Sequence, residues 1–216
     1  YSMQKSGYHL QDFAGFMLRR IVRLEPAYLL SIGGIILLNY LSSLSPLYQG
    51  SGFVFDPVQL GLHLGYLIPF FPDYDWLMPT YWSLAIEFQY YLLVGLLFVL
   101  INHRHLTWFW VGALALLLLA VVFPDDKFFF YYSPYFVLGF GLFRKAGHDL
   151  PNLYFYGFMA LALAVIYSQN GLPAAFAALL PCVVIRLAPG WNPRALRFLG
   201  TISYSLYLLH VPLGGR

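Results

Sequence analysis

The chain has 216 residues, of which 60% are hydrophobic, 20% aromatic and only 10% charged, with a mean hydropathy of +0.68. A water-soluble domain of this length does not carry that balance, so the sequence is that of a polytopic membrane protein. The net charge of +3 then reports orientation rather than an acidic soluble partner, and nucleic acid is not expected as a partner.

Cys182 is the single cysteine, so no disulfide forms within the chain, and no zinc or haem spacing is present: no metal is expected. The sequence starts at Tyr1 without an initiator Met or signal peptide and ends at Arg216 just after an apolar run, which is the expectation for an internal fragment.

In chain order, Asp12 is placed to cap a helix whose first turns carry Arg19, Arg20 and Arg23. Pro26 kinks that helix or marks where it goes into lipid, and residues 24–44 are long enough to span. Turn chemistry at Pro46, Gly50 and Gly52 makes 42–56 a loop. Residues 57–71 carry His63 and about 14 apolar positions, a length that suits a re-entrant or interfacial helix better than a crossing. An acidic, proline-rich loop follows, and Thr80 is placed to cap the next helix.

Residues 82–101 form a central span. After His103-Arg104-His105 come a span over 107–123 and a short aromatic one over 128–143, interrupted by Pro134 and ended by Arg144 and Lys145. Residues 153–167 and 172–187 read as a hairpin about Gly171, 189–193 as a second turn, and 195–213 as the last span. The expectation is an all-α transmembrane helical bundle of about seven spans plus one short re-entrant or interfacial helix.

That topology puts Lys5, Arg19, Arg20, Arg23, Arg104, Arg144, Lys145, Arg186, Arg194 and Arg197 on one side, ten of the twelve basic residues. Lys127 and Arg216 fall on the other, with Asp56, Asp73, Asp75, Asp125 and Asp126. The arginine side is then cytoplasmic.

Three stretches stand out chemically. Spaced three and four apart, Arg19, Arg20 and Arg23 bring at least two guanidiniums to one helix face. By itself this stretch reads first as a lipid-headgroup anchor, with a bidentate phosphate site as the competing role. The second is Glu87, inside the central span on a polar stripe with Ser83, Tyr90, Tyr91 and Gly95. A charge there costs about 2.5–3.5 kcal/mol and requires a partner, which favours a functional over a packing role.

The third is the face formed by Gly200, Ser203, Tyr207 and His210. Counted at 1.5 Å per residue, His210 lies roughly 22 Å from the inner end of its helix and Glu87 about 8 Å from the outer end of its own, near one level in a core about 30 Å thick. His210 is therefore the expected partner of Glu87. His63 is placed to line the same cavity, whereas His9, His103, His105 and His148 read as loop or interface residues.

The segments FMLRRIVRLEPAYL (16–29), YWSLAIEFQYYLL (81–93) and LGTISYSLYLLHVPL (199–213) together resemble the acyltransferase 3 family of integral membrane acyltransferases, over essentially the whole chain. The resemblance implies transfer of an acyl group, often acetyl, from cytoplasmic acyl-CoA to a hydroxyl of a carbohydrate or lipid-linked cell-surface acceptor. The enzyme would sit in the bacterial inner membrane with no tightly bound cofactor.

The family's Arg-x-x-Arg element falls on Arg20 and Arg23, with Arg19 beside them as donor-binding residues. Its Trp-Ser-Leu-x-x-Glu element falls on Trp82, Ser83 and Glu87. The third element is similar to Ser203, Tyr204, Tyr207 and His210, and Tyr90 joins Trp82, Ser83, Ser203, Tyr204 and Tyr207 as supporting residues. Glu87 and His210 are the catalytic candidates. The family's main catalytic His lies in a first helix that no segment here matches, so residues 1–216 are expected to be a transmembrane domain lacking its first and its C-terminal helices. The alternative from another class is a proton-coupled transporter using Glu87 and His210, which would favour internal repeats that the sequence does not show.

Overall fold

The computed structural model describes residues 7–45, 54–101, 106–147, 150–188 and 193–214. Lys5, the 103–105 basic loop, His148, most of the 189–193 turn and Arg216 lie outside the described residues, as does part of the 42–56 loop. Among the described residues there are seven α-helices and no strand: α1 (Phe13–Ser43), α2 (Pro57–Leu64), α3 (Tyr81–Ile101), α4 (Leu106–Val122), α5 (Phe129–Ala146), α6 (Asn152–Leu187) and α7 (Arg194–Gly214). By length and composition Leu10–Ser43, Tyr81–Phe98 and Asn152–Leu187 can each cross a membrane, and Thr107–Val122 is a shorter apolar helix.

The helices divide into two compact units. One comprises Ala14–Leu92 and Asn192–Arg216, which is α1, α2, the first half of α3, and α7. Its core joins Tyr28, Ile32, Ile35, Tyr66, Met78, Tyr81, Leu84 and Leu208. Here α1 and α3 run antiparallel, since Phe16 meets Tyr91 (ring centroids 6.3 Å apart) while Tyr28 meets Tyr81 at 5.0 Å. α2 starts where Asp56 caps the Val58 and Gln59 N–H groups and is only eight residues long, about 12 Å, too short to cross. A 3-10 turn, Ile68–Phe70, and an irregular loop return the chain to α3.

The other unit comprises Tyr1–Phe13 and Leu93–Trp191. Its α4, α5 and α6 pack through rings, with Phe158 of α6 5.4 Å from Phe109 and 5.0 Å from Trp110 of α4. α6 is the expected hairpin. Gly171 breaks it with φ +77°, a left-handed conformation open to a residue without Cβ. The arms then run antiparallel, because Phe155 and Met159 of the first line the same 200 Å³ cavity as Leu179 and Cys182 of the second. In a straight helix Met159 and Cys182 would be roughly 35 Å apart. The turn is tied down by Gln169 Nε2, which donates to Ala120 O (2.7 Å), and by Tyr131 Oη, which donates to Asn170 Oδ1 (2.6 Å).

Several local expectations are corrected. Pro134 does not interrupt α5, which runs through it. The carbonyl its missing N–H would have engaged is that of Phe130, and Ser133 Oγ sits 2.7 Å from it and 2.8 Å from Leu116 O, sharing its proton between them. α1 runs through Pro26 as one helix, which is compatible with the kink or lipid entry expected there. Asp12 lies in a 3-10 turn ahead of α1, and its carboxylate reaches back to the His9 N–H (2.9 Å) instead of forward into the helix. Nor does the Thr80 hydroxyl cap α3, since it makes no hydrogen bond among the described residues.

Candidate active site

The Arg-rich turns of α1 lie against the middle of α3. The Arg20 guanidinium carbon is 5.1 Å from the Tyr91 ring and 5.3 Å from that of Phe16, a cation–π arrangement that holds the side chain on the helix–helix seam. Arg23 is within electrostatic range of Tyr91, and Arg19 is exposed and lies back over Gly15. Among the described residues none of these three cations forms an ion pair, so their in-plane N–H groups are available to an anion.

Glu87 receives a hydrogen bond from the Tyr91 hydroxyl one turn along α3, beside Arg20. Its partner is thus Tyr91 and not His210. A second carboxylate accompanies it: Glu25, two residues after Arg23, accepts from Tyr66 Oη at 3.1 Å. Tyr204 of α7 donates to Leu24 O at 3.0 Å and feels both Glu87 and Glu25 electrostatically. Tyr90, half-buried, lies within electrostatic range of Arg20.

Further along the seam, Tyr207 Oη donates to Thr80 O (3.1 Å) and accepts from Ser83 Oγ (2.8 Å). These contacts fix the register of α7, with Tyr204 opposite Leu24 and Tyr207 opposite residues 80–83. His210 therefore sits one turn past the start of α3, six residues or about 9 Å beyond Tyr204, and not level with Glu87. The sequence estimate assumed that both helices begin at the membrane boundary, and the α7 register does not follow that assumption. His210 is exposed, and its Nδ1 lies 2.7 Å from Tyr207 O, an acceptor that fixes the Nδ1–H tautomer and leaves Nε2 with a free lone pair. Ser203 is exposed and turns back to Gly200 O (2.9 Å). Trp82 is 40% exposed.

His63 has a different role from the one expected of it. It is fully buried, and both ring nitrogens are engaged: Nδ1–H donates to Gln59 O (2.8 Å) while Nε2 accepts from the Leu77 N–H (3.0 Å). Burial lowers its pKa from the ordinary histidine value, against a smaller opposing effect of the Gln59 carbonyl, so it is a neutral bolt joining α2 to the loop before α3. Tyr28 Oη adds a bond to its carbonyl (3.2 Å).

Sequence reasoning missed Glu25 and Tyr66. The signal for Glu25 was present, a carboxylate directly before Pro26 at the edge of an apolar run. Nothing local marks Tyr66. It is the one non-glycine residue with positive φ (55°) among the described residues, its ring stacked on Tyr28 (5.3 Å) and on Phe88 (4.7 Å). Those stacks and the bond to Glu25 hold the strained backbone in place.

One seam thus carries three arginines without an ion pair among the described residues, two tyrosine-bonded carboxylates and a histidine. The family model for an acyltransferase domain, that of the acyltransferase 3 family, matches residues 3–214. The chain therefore belongs to that family and is an integral membrane acyltransferase. No curated protein and no solved structure matches it.

Proposed function

We propose that the chain moves an acyl group, acetyl in the first instance, from acyl-CoA on the cytoplasmic side to a hydroxyl of a carbohydrate or lipid-linked cell-surface acceptor. The membrane would be the bacterial inner membrane. The observation that carries the reading is the continuous polar seam of α1, α3 and α7 inside an otherwise apolar unit. Arg20 and Arg23, with Arg19 beside them, hold the donor phosphates. Tyr204 is four residues along the seam from the level of Arg20, and His210 six further, about 15 Å in all, a separation that suits a donor anchored by phosphates at one end and reactive at the other.

In this scheme the His210 Nε2 lone pair takes the proton of the acceptor hydroxyl as its oxygen forms a bond to the thioester carbonyl carbon. The carbonyl electron pair moves onto oxygen. Collapse of that intermediate breaks the C–S bond, and the departing thiolate recovers the proton as free CoA. A positioned base contributes roughly 10² to 10⁴ in rate. Glu87, bonded by Tyr91 and about 9 Å along the seam from His210, is a positioning residue that acts through Tyr91 and Tyr204 on how the seam holds the donor. Trp82, Ser83, Tyr90, Ser203, Tyr204 and Tyr207 support the reacting centre. A transporter relay would need Glu87 and His210 in contact, and their separation removes the reason for it.

The test is release of free CoA from acetyl-CoA by the full chain in nanodiscs, with and without sugar acceptors. Acceptor-stimulated release supports the reading. No release together with no acetyl-CoA binding contradicts it.

A further inference from the structure

Thr80 is only 6% exposed, yet its hydroxyl has no hydrogen-bond partner among the described residues. A threonine immediately before a helix ordinarily turns its oxygen onto the first-turn N–H groups. Here it does not, although α3 behind it has 21 residues and presents the positive end of its dipole at this point. A buried hydroxyl whose desolvation nothing offsets is a rare arrangement that calls for an explanation. The main-chain oxygen of the same residue is, by contrast, engaged: it accepts from Tyr207 Oη at 3.1 Å, and Ser83 Oγ, also 3.1 Å away, shares its single proton between that oxygen and Tyr207 Oη. His210 sits on the next turn of α7, held by the Tyr207 carbonyl.

From this juxtaposition we infer that the Thr80 hydroxyl, at the N-terminus of α3, is an oxyanion donor for the acyl group being transferred. It donates a hydrogen bond to the thioester carbonyl oxygen as negative charge develops there, and keeps its own proton throughout. Tyr207 is a positioning residue, fixing the Thr80 main chain and, through its carbonyl, the His210 tautomer. The inference rests on the acyl-transfer reading and names one more group that touches the reacting atoms. A donor left unpaired in the resting state has no internal hydrogen bond to give up when charge forms.

The experiment compares Thr80→Val, Thr80→Ala and Thr80→Ser with wild type in the full chain. Acetyl-CoA is the donor, and water and methyl glucoside serve in turn as acceptors. Thermal unfolding is recorded on the same samples. Thr80→Val keeps the shape and removes the hydroxyl, so kcat should fall about 10²- to 10³-fold, with donor KM within twofold and an unfolding temperature equal to or above wild type. Thr80→Ser should recover most of the rate. Full kcat in Thr80→Val and Thr80→Ala overturns the inference and leaves the acyl-transfer reading intact. It is likewise overturned if the variants lose unfolding temperature and rate together, because the hydroxyl then serves folding. A wild type that turns over acetyl-CoA with neither acceptor overturns the parent reading and this one with it.

Discussion

The two compact units use their polar groups for opposite purposes. In the unit built from α4, α5 and α6, Ser133, Gln169 and Tyr131 bond to main-chain or turn groups that a proline or a tight turn has exposed. Each of these bonds answers a main-chain or turn group, although Gln169 Oε1 is itself left without a partner among the described residues. In the unit built from α1, α2, the start of α3, and α7, the polar groups leave capacity over among the described residues: three arginines without an ion pair, two carboxylates each accepting from one tyrosine, and a histidine with one ring nitrogen bonded. In a membrane, where unsatisfied groups are costly, the first pattern serves packing, and the second is the one for which we propose a ligand.

The largest effect expected from that contrast is at Glu87. Glu87→Gln keeps the size and the Tyr91 contact but alters how the seam is held, and kcat should fall about 10²-fold, the cost of a misplaced reacting group, with donor KM little changed, as read by CoA release. Arg20→Ala should raise donor KM about 10- to 100-fold, the worth of a charge-assisted bond of about 1.5–3 kcal/mol, with a smaller change in kcat. On the packing side, Ser133→Ala removes the donor that replaces the missing Pro134 N–H at the Phe130 carbonyl and should cost about 1–3 kcal/mol of stability. Gly171→Ala should cost about 1–3 kcal/mol, because φ +77° with ψ −177° is a backbone region that essentially only glycine occupies. Thermal unfolding reads both, and the rate per folded molecule should not move. If either change alters donor KM, the division between the units is wrong.

The smallest effect is a pH dependence. The folded pKa of His63 is depressed below its unfolded value of about 6.5, so the unfolded chain binds the extra proton first as pH falls. The contribution of His63 to stability is complete above about pH 6.5 and is lost as pH drops from there through the folded value. Unfolding temperatures between pH 7.5 and 5 should decline in wild type and decline less in His63→Gln, which cannot titrate.

The helices were legible because length and polarity decide them, and three of them are long and apolar enough to cross a membrane. The shortness of α2, the turn at Gly171 and the basic and acidic loops are all local properties of the chain. The three motifs were legible as motifs, and the fold brings α1, α3 and α7 together in one unit. What periodicity does not encode is how far one helix slides along another. That sliding moved His210 about 9 Å from the expected level of Glu87 and gave Glu87 to Tyr91. Pro134 was misread for a related reason, since the side chain that replaces its hydrogen bond belongs to the preceding residue and also reaches α4. Tyr66 depends on two rings from distant segments, and no local pattern announces a strained residue held by tertiary stacking.

The most direct test of the account is a steady-state comparison of Arg20→Ala and Glu87→Gln in the full chain, at matched amounts of folded protein, with acetyl-CoA varied at fixed acceptor. The account predicts that the two separate cleanly, the arginine change acting through donor KM and the glutamate change through kcat. If both lower kcat and KM together, or if neither changes acetyl-CoA turnover, the seam of α1, α3 and α7 is not where the donor is held and the acyl group transferred.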